Sequence, residues 1–158
     1  MFLRAYVRTM QIRRGKLDDL DVIAKYNIDL AGESEGLILE EHTAREGALQ
    51  ALRDESRGSY FVAEEGGKII GQLMLTKEWS DWRNGWIWWI QSVYVKPEFR
   101  EKGVFRALYE YVKEVAKNAE DVVGIRLYAY KDNKRAHKVY ESLGMTGGDN
   151  IVFEEMPL

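Results

Sequence analysis

The sequence predicts a single α/β domain, a mixed central sheet with helices on both faces. Three observations carry that reading. Apolar spacing switches between helical and alternating periods along the chain. Three strand candidates follow one another between residues 59 and 95, and a strand–helix–strand crossover comes after them. No internal repeat, low-complexity tract or Pro/Ser-rich linker divides the 158 residues.

Taken in order, "MQIRR" (10–14) is a short strand. "LDDLDVIAKYNIDLAG" (17–32) places Leu17, Leu20, Ile23, Ala24, Ile28 and Ala31 on one helical stripe, with Gly32 as its C-cap. "TARE" (43–46) has the form of a capping box, Thr43 as cap and Glu46 three residues on, and opens a second helix to about Asp54. "SYFVAEE" (59–65), Gly66-Gly67 and "KIIGQLMLTKEW" (68–79) form a β-hairpin. After the polar break "SDWRNG" (80–85), "WIWWIQSVYV" (86–95) is aromatic and β-branched, a strand that Pro97 stops. From residue 103, Val104, Leu108, Tyr111, Val112 and Val115 recur at helical spacing to about Lys117. "GIRLYAY" (124–130) alternates as a strand. "DNKRAHKVYESLG" (132–144) is a helix with an Asp or Asn cap and Gly144 at its end, and "NIVFEEM" (150–156) is a closing strand.

Composition narrows the function. With 46% apolar and 31% charged residues the chain is an ordinary soluble globular domain, expected over 10–158, with 1–9 as a flexible extension. No segment approaches the roughly 20 apolar residues that span a bilayer. Arg4 and Arg8 break the opening apolar residues, so neither a signal peptide nor a membrane partner is expected, and the cytoplasm is the expected location. The absence of cysteine excludes disulfides, thiol nucleophiles and thiolate metal sites. His42 and His137 are too few and too far apart for a histidine metal site, so no metal is expected. The net charge of −3 argues against general nucleic-acid affinity.

Within this acidic chain, "VYVKPEFREKGVFRALYEYV" (93–112) sets Arg100, Lys102 and Arg106 around Gly103 where a helix begins. A helix N-terminus offers amides without intrahelical partners and a partial positive charge, the requirements of an anion site. The competing reading is a solvated basic turn. Spacing alone leaves both open.

Two segments together carry a resemblance. "IQSVYVKPEFREKGVFRAL" resembles the signature of the GCN5-related N-acetyltransferases (GNAT), a strand ending hydrophobic-x-Val-x-Pro and running into Arg/Gln-x-x-Gly-x-Gly/Ala. Here the match is Arg100, Glu101, Lys102, Gly103, Val104 and Phe105, with Phe105 standing where the family has a small residue. "YKDNKRAHKVYESLGM" (130–145) matches the family's second element through Asn133, Ala136, Tyr140 and Gly144. The resemblance covers about 11–157. It implies a GNAT-like acyl-CoA acyltransferase fold: a mostly antiparallel sheet of six to seven strands, splayed near its middle, with about four helices.

The resemblance further implies acetyl-CoA as cosubstrate. Its pyrophosphate would lie on the 101–106 amides beside Arg100, Lys102 and Arg106. Its arm would run along Val93, Tyr94 and Val95 like an added strand, with Asn133, Ala136 and Tyr140 completing the cofactor side. An amide near Val93 would stabilise the oxyanion. Tyr140, two helical turns after Asn133, would donate a proton to the departing thiolate; on periodicity alone it belongs to the apolar stripe with Val139 and Leu143.

The acceptor the resemblance implies is a primary amine of a small molecule or peptide, which must lose a proton before it attacks. Gln91 and Ser92, at the position where many relatives hold a carboxylate, are not bases. A water chain or Glu78, Asp81, Glu33 or Glu35 is left for the role. Glu33 and Glu35 lie in "AGESEG" (31–36), read as the connection between the first two helices, and a solvated acidic loop explains them equally. All five tryptophans fall within 78–90. Trp79 and Trp82, beside Asp81, are acceptor-site candidates, whereas the strand tryptophans suit the core or the interface of a homodimer. Two other classes stay open: a catalytically silent CoA-binding sensor of the same fold, and an aromatic-rich binding module without a cofactor.

Overall fold

The computed structural model describes residues 9–158. The expected extension over 1–9 therefore lies, except for Thr9, outside the described residues. The chain divides into two units, one ending at Leu127 and the other Tyr128–Leu158.

The first unit is built on a five-stranded sheet in the order β1 (Gln11–Arg14), β2 (Ser59–Glu65), β3 (Lys68–Ser80), β4 (Gly85–Val95), β5 (Val122–Leu127). Neighbours pair antiparallel from β1 to β4, and β5 joins β4 in parallel through the connecting helix α3 (Val104–Lys117). Strand alternation assigns the helices to opposite faces. Tyr60 and Val62 pack with Leu20, Ile23 and Ala24 of α1 (Leu20–Glu35) and Ala48 and Ala51 of α2 (Glu41–Arg53). Phe61, between them, meets Tyr111 of α3 with ring centroids 5.8 Å apart. Ile23, Val62, Leu73, Leu108 and Val112 are fully buried, each stabilising by about 2 kcal/mol relative to an exposed position.

At the N-terminal end of α1, Arg13 of β1 grips Asp19 with two bonds of 2.8 and 2.9 Å, and its Nε donates to Glu64 at 2.8 Å. Burial pushes the Asp19 carboxyl up, but the Arg13 guanidinium and the Lys16 amide outweigh it and hold the group below its ordinary range.

The second unit contains α4 (Lys134–Ser142). Asn133 caps it, Oδ1 accepting from the Ala136 amide at 3.1 Å, and Gly144 follows with φ 87°. No helix among the described residues is long and apolar enough to cross a membrane.

Four expectations need correction. Residues 150–156 form no strand and β5 ends at Leu127, so among the described residues the sheet has five strands rather than six to seven. Apolar alternation specifies a strand only where a partner edge supplies the ladder, and Ile151, Val152 and Phe153 are exposed. Gly32 does not end the first helix, which continues through Glu35; a single helical glycine costs only about 1 kcal/mol. Gly36, with φ 64°, ends it, and the Leu37 amide bonds back to Ala31 at 3.1 Å. Glu40, not Thr43, caps α2. Its carboxylate accepts from the amides of His42 and Thr43, and the Thr43 hydroxyl donates to it at 2.6 Å, which also lowers its pKa.

Candidate functional site

The site begins with a defect in β4. Register runs Met74↔Gln91 and then Gln72↔Tyr94, so two residues of β4, Ser92 and Val93, oppose one of β3. Ser92 takes φ 53°, and the strand bends there as a bulge. Pairing with β5 ends at Ile90↔Leu127. Beyond that point, among the described residues, β4 has a strand only on its β3 side, and the sheet is splayed along Val93–Val95.

Beneath the bulge runs a buried polar ladder. The Gln72 side-chain amide donates to Asn27 Oδ1 at 2.9 Å and lies 3.5 Å from the Ser92 carbonyl; Asn27 Nδ2 donates to the Tyr60 hydroxyl at 2.9 Å. Gln72 is fully buried, and its Oε1 has no hydrogen-bond partner among the described residues. Burial pushes the Tyr60 phenol up, against opposing bonds from Asn27 and Ser92.

After Val95 the chain makes a 3-10 turn, Pro97–Phe99, and enters the basic loop. Glu101 and Gly103 both take left-handed backbone, φ 62° and 80°. Such alternation turns successive amides toward a common centre. A Cβ on Gly103 would meet nothing within 4 Å, so backbone conformation and not space requires glycine there. Gly103 is the N-cap of α3, no side chain among the described residues caps the helix, and its first turn carries no acidic residue. The geometry of a helix leaves these first-turn amides without acceptors inside it, which suits a phosphate group.

Close seating of this helix end depends on β3. A Cβ on Gly71 would lie 2.8 Å from Val104 Cγ1 and 3.2 Å from the Tyr94 carbonyl. Only glycine lets the first residue of α3 approach the sheet so closely. Val104 is buried, while Phe105 turns to Tyr109 along the helix, ring centroids 6.3 Å apart.

The loop cations are positioned by the protein. Arg100 Nε donates to the Val95 carbonyl at 2.9 Å, its NH2 to Glu33 Oε2 at 2.5 Å, and its guanidinium lies 5.5 Å from the Tyr94 ring centre. Tyr94 donates to the other Glu33 oxygen at 3.2 Å, and burial pushes its phenol up to about 12. Lys102 donates to the Glu98 carbonyl at 2.8 Å. Glu33 is thus brought to the basic loop rather than to a connection between helices.

A cleft of about 480 Å³ opens between α1, α2 and the bulge. Asn27, Tyr60 and Ser92 line one part of it, and Glu35 lines another. The remaining acceptor candidates are not among the lining residues. Glu78 accepts from the Trp89 indole at 2.5 Å and lies 3.7 Å from Arg126. Asp81 accepts from the Trp82 amide at 2.9 Å in the β3–β4 turn, where Trp79 and Trp82 are exposed and Trp79 packs edge-on against Trp86, 5.1 Å away. Gln91 spends its amide on Thr76 Oγ1 at 2.6 Å. The sequence reading missed the Tyr60–Asn27–Gln72 ladder, because one residue from each of three elements gives no local pattern.

In the second unit, Asn133 and Tyr140 lie at the start and near the end of α4. Burial raises the Tyr140 phenol above its ordinary range, so it keeps its proton at neutral pH.

Known proteins resemble the chain at the level of sequence and of fold. The crystal structure of "a possible acetyltransferase" from Clostridium difficile 630 is 44% identical, with 94% of this chain and 98% of that chain covered and a TM-score of 0.87. A "predicted acetyltransferase with acetyl-CoA" from Clostridium acetobutylicum is 17% identical, with 94% and 97% covered and a TM-score of 0.75. An aminoglycoside N-acetyltransferase in complex with CoA is 18% identical, with 99% and 100% covered and a TM-score of 0.78. The last two share the fold. No curated protein matches. The model of the "Acetyltransferase (GNAT) family" matches residues 26–145. With the splayed strand, the glycine-led helix end and this match in agreement, the chain belongs to the acetyltransferase (GNAT) family.

Proposed function

We propose that the protein is an acetyl-CoA-dependent N-acetyltransferase, moving an acetyl group directly to a primary amine of a small molecule or peptide in the cytoplasm. The observation that carries this reading is the left-handed Glu101–Gly103 loop at the uncapped end of α3, adjoining the splayed strand Val93–Val95. Bound acetyl-CoA supplies an acetyl group already activated as a thioester.

The amides of residues 101–106 hold the pyrophosphate, with Arg100, Lys102 and Arg106 balancing its charge. Val93, Tyr94 and Val95 hold the arm as an added strand. The Val93 amide donates to the carbonyl oxygen as negative charge develops there. Tyr140 gives its proton to the departing sulfur; Asn133 and Ala136 complete that side. The amine enters from the cleft between α1 and α2, whose carboxylate is Glu35. Glu78, Glu33, Trp79, Asp81 and Trp82 fall elsewhere and are given no part in acceptor binding. A homodimer with half-exposed Trp86 at its interface belongs to the same reading.

The second reading, a silent CoA-binding sensor, draws on Gln91: its amide is occupied by Thr76 and supplies no base. Calorimetry with acetyl-CoA, followed by detection of free thiol across a panel of primary amines, separates the two. Binding with thiol release supports the enzyme. Binding without release from any amine supports the sensor. No binding overturns both.

A further inference from the structure

The cleft also restricts the acceptor, on the reading that the protein acetylates an amine. We propose that the acceptor is a small amine with a single positive charge and an apolar body, an alkyl- or arylalkylamine, and not a polycation. Three observations carry this.

The walls are mostly apolar, Leu30, Ala31, Ala44, Ala48 and Met74, and the polar residues that interrupt them are engaged, Thr43 donating to Glu40 and Gln50 accepting from Arg57. Their extent, about 480 Å³ in all, falls within the range of small-molecule sites. The mouth is apolar where solvent would favour polar residues. Leu37 and Leu39 line the cleft, and with Ile38 they form a run of exposed side chains at 51%, 37% and 99%. Exposed aliphatic residues at a cleft mark contact with an apolar ligand.

The charges in the lining allow only one cation. Glu35 is its single carboxylate, and no ion pair engages it among the described residues. Arg57 is the lining cation, held by Asp54 at 3.2 Å and Gln50 at 3.3 Å. One ammonium group is drawn in by Glu35, which takes its proton, and the neutral nitrogen passes to the bulge side for attack. A second or third would lie unpaired on aliphatic walls or be repelled by Arg57. The uncharged polar groups Asn27, Tyr60 and Ser92 gather on the bulge side, beside Val93. They receive the reacting nitrogen, and Leu30, Leu37 and Leu39 take the body.

The test compares hexylamine and 2-phenylethylamine with 1,6-diaminohexane and kanamycin, reading thiol release at saturating acetyl-CoA. Hexylamine and 1,6-diaminohexane differ by one terminal ammonium on the same methylene chain. The expected kcat/KM is higher for hexylamine by roughly tenfold or more. Leu37→Asp, at an exposed position, is expected to raise KM for hexylamine and to narrow its lead over the diamine, with KM for acetyl-CoA unchanged. Thiol release favouring 1,6-diaminohexane or kanamycin overturns this inference and leaves the acetyltransferase reading standing. So does a Leu37→Asp variant that keeps the wild-type preference. Failure to bind acetyl-CoA by calorimetry overturns both.

Discussion

In the proposed mechanism Gly103 and Tyr140 contribute in opposite ways, one through the lack of a side chain and the other through a single hydrogen. At φ 80° Gly103 holds the loop in a conformation that costs other residues about 1 kcal/mol. Gly103→Ala is expected to lose about that much stability in denaturant titration and to weaken acetyl-CoA in calorimetry. The new methyl has open space around it, so the backbone alone is responsible. Tyr140→Phe keeps the ring and removes the proton. A fall in kcat of about 10²-fold with KM for acetyl-CoA unchanged is expected, and an unchanged kcat would remove the acid role. Gly103 was legible in the sequence because it sits within a local pattern of strand, loop and helix. Gln72 was not, because an isolated glutamine in an apolar strand looks the same whether it faces water or Asn27.

Elements are joined here by a few tight approaches. The N-terminus of α3 reaches its place because β3 presents Gly71 beneath Val104. Gly71→Ala is expected to destabilise by about 1–3 kcal/mol through overpacking and to weaken acetyl-CoA as the helix end moves. Adding Val104→Ala should restore part of both losses, which thermal melts and calorimetry of the double variant would show. The helices and the central strands were readable from period, since burial on one face writes itself into spacing. The ends were less so. Gly32 and Thr43 have good local credentials as cap residues, yet Gly36 and Glu40 take the roles, because a cap forms where the chain must turn to pack.

At the scale of the whole molecule, ionisation of buried groups limits stability at both ends of the pH range. The Asp19 carboxyl is held below its ordinary value of about 3.8. Its contribution is present above that value and lost as pH falls through the lowered one. Tyr26 and Tyr94, their tilted rings 4.8 Å apart, are both raised to about 12, mainly by burial. Their protonated forms are favoured by folding, so stability holds below about pH 10 and falls between pH 10 and 12, by roughly 2 kcal/mol per tyrosine. Thermal midpoints from pH 2 to 12 should decline at both ends. Asp19→Asn should flatten the acid limb, and Tyr26→Phe with Tyr94→Phe the alkaline one. The sequence by itself determined the family, the order of the elements from β1 to α4 and the loop around Gly103, because each is written in residues close together along the chain. Only the tertiary structure decided that the sheet stops at five strands, that Glu33 serves Arg100, and that Asn27, Tyr60 and Ser92 meet at one cleft. Those outcomes depend on which distant residues share a surface, and chain spacing carries no record of that.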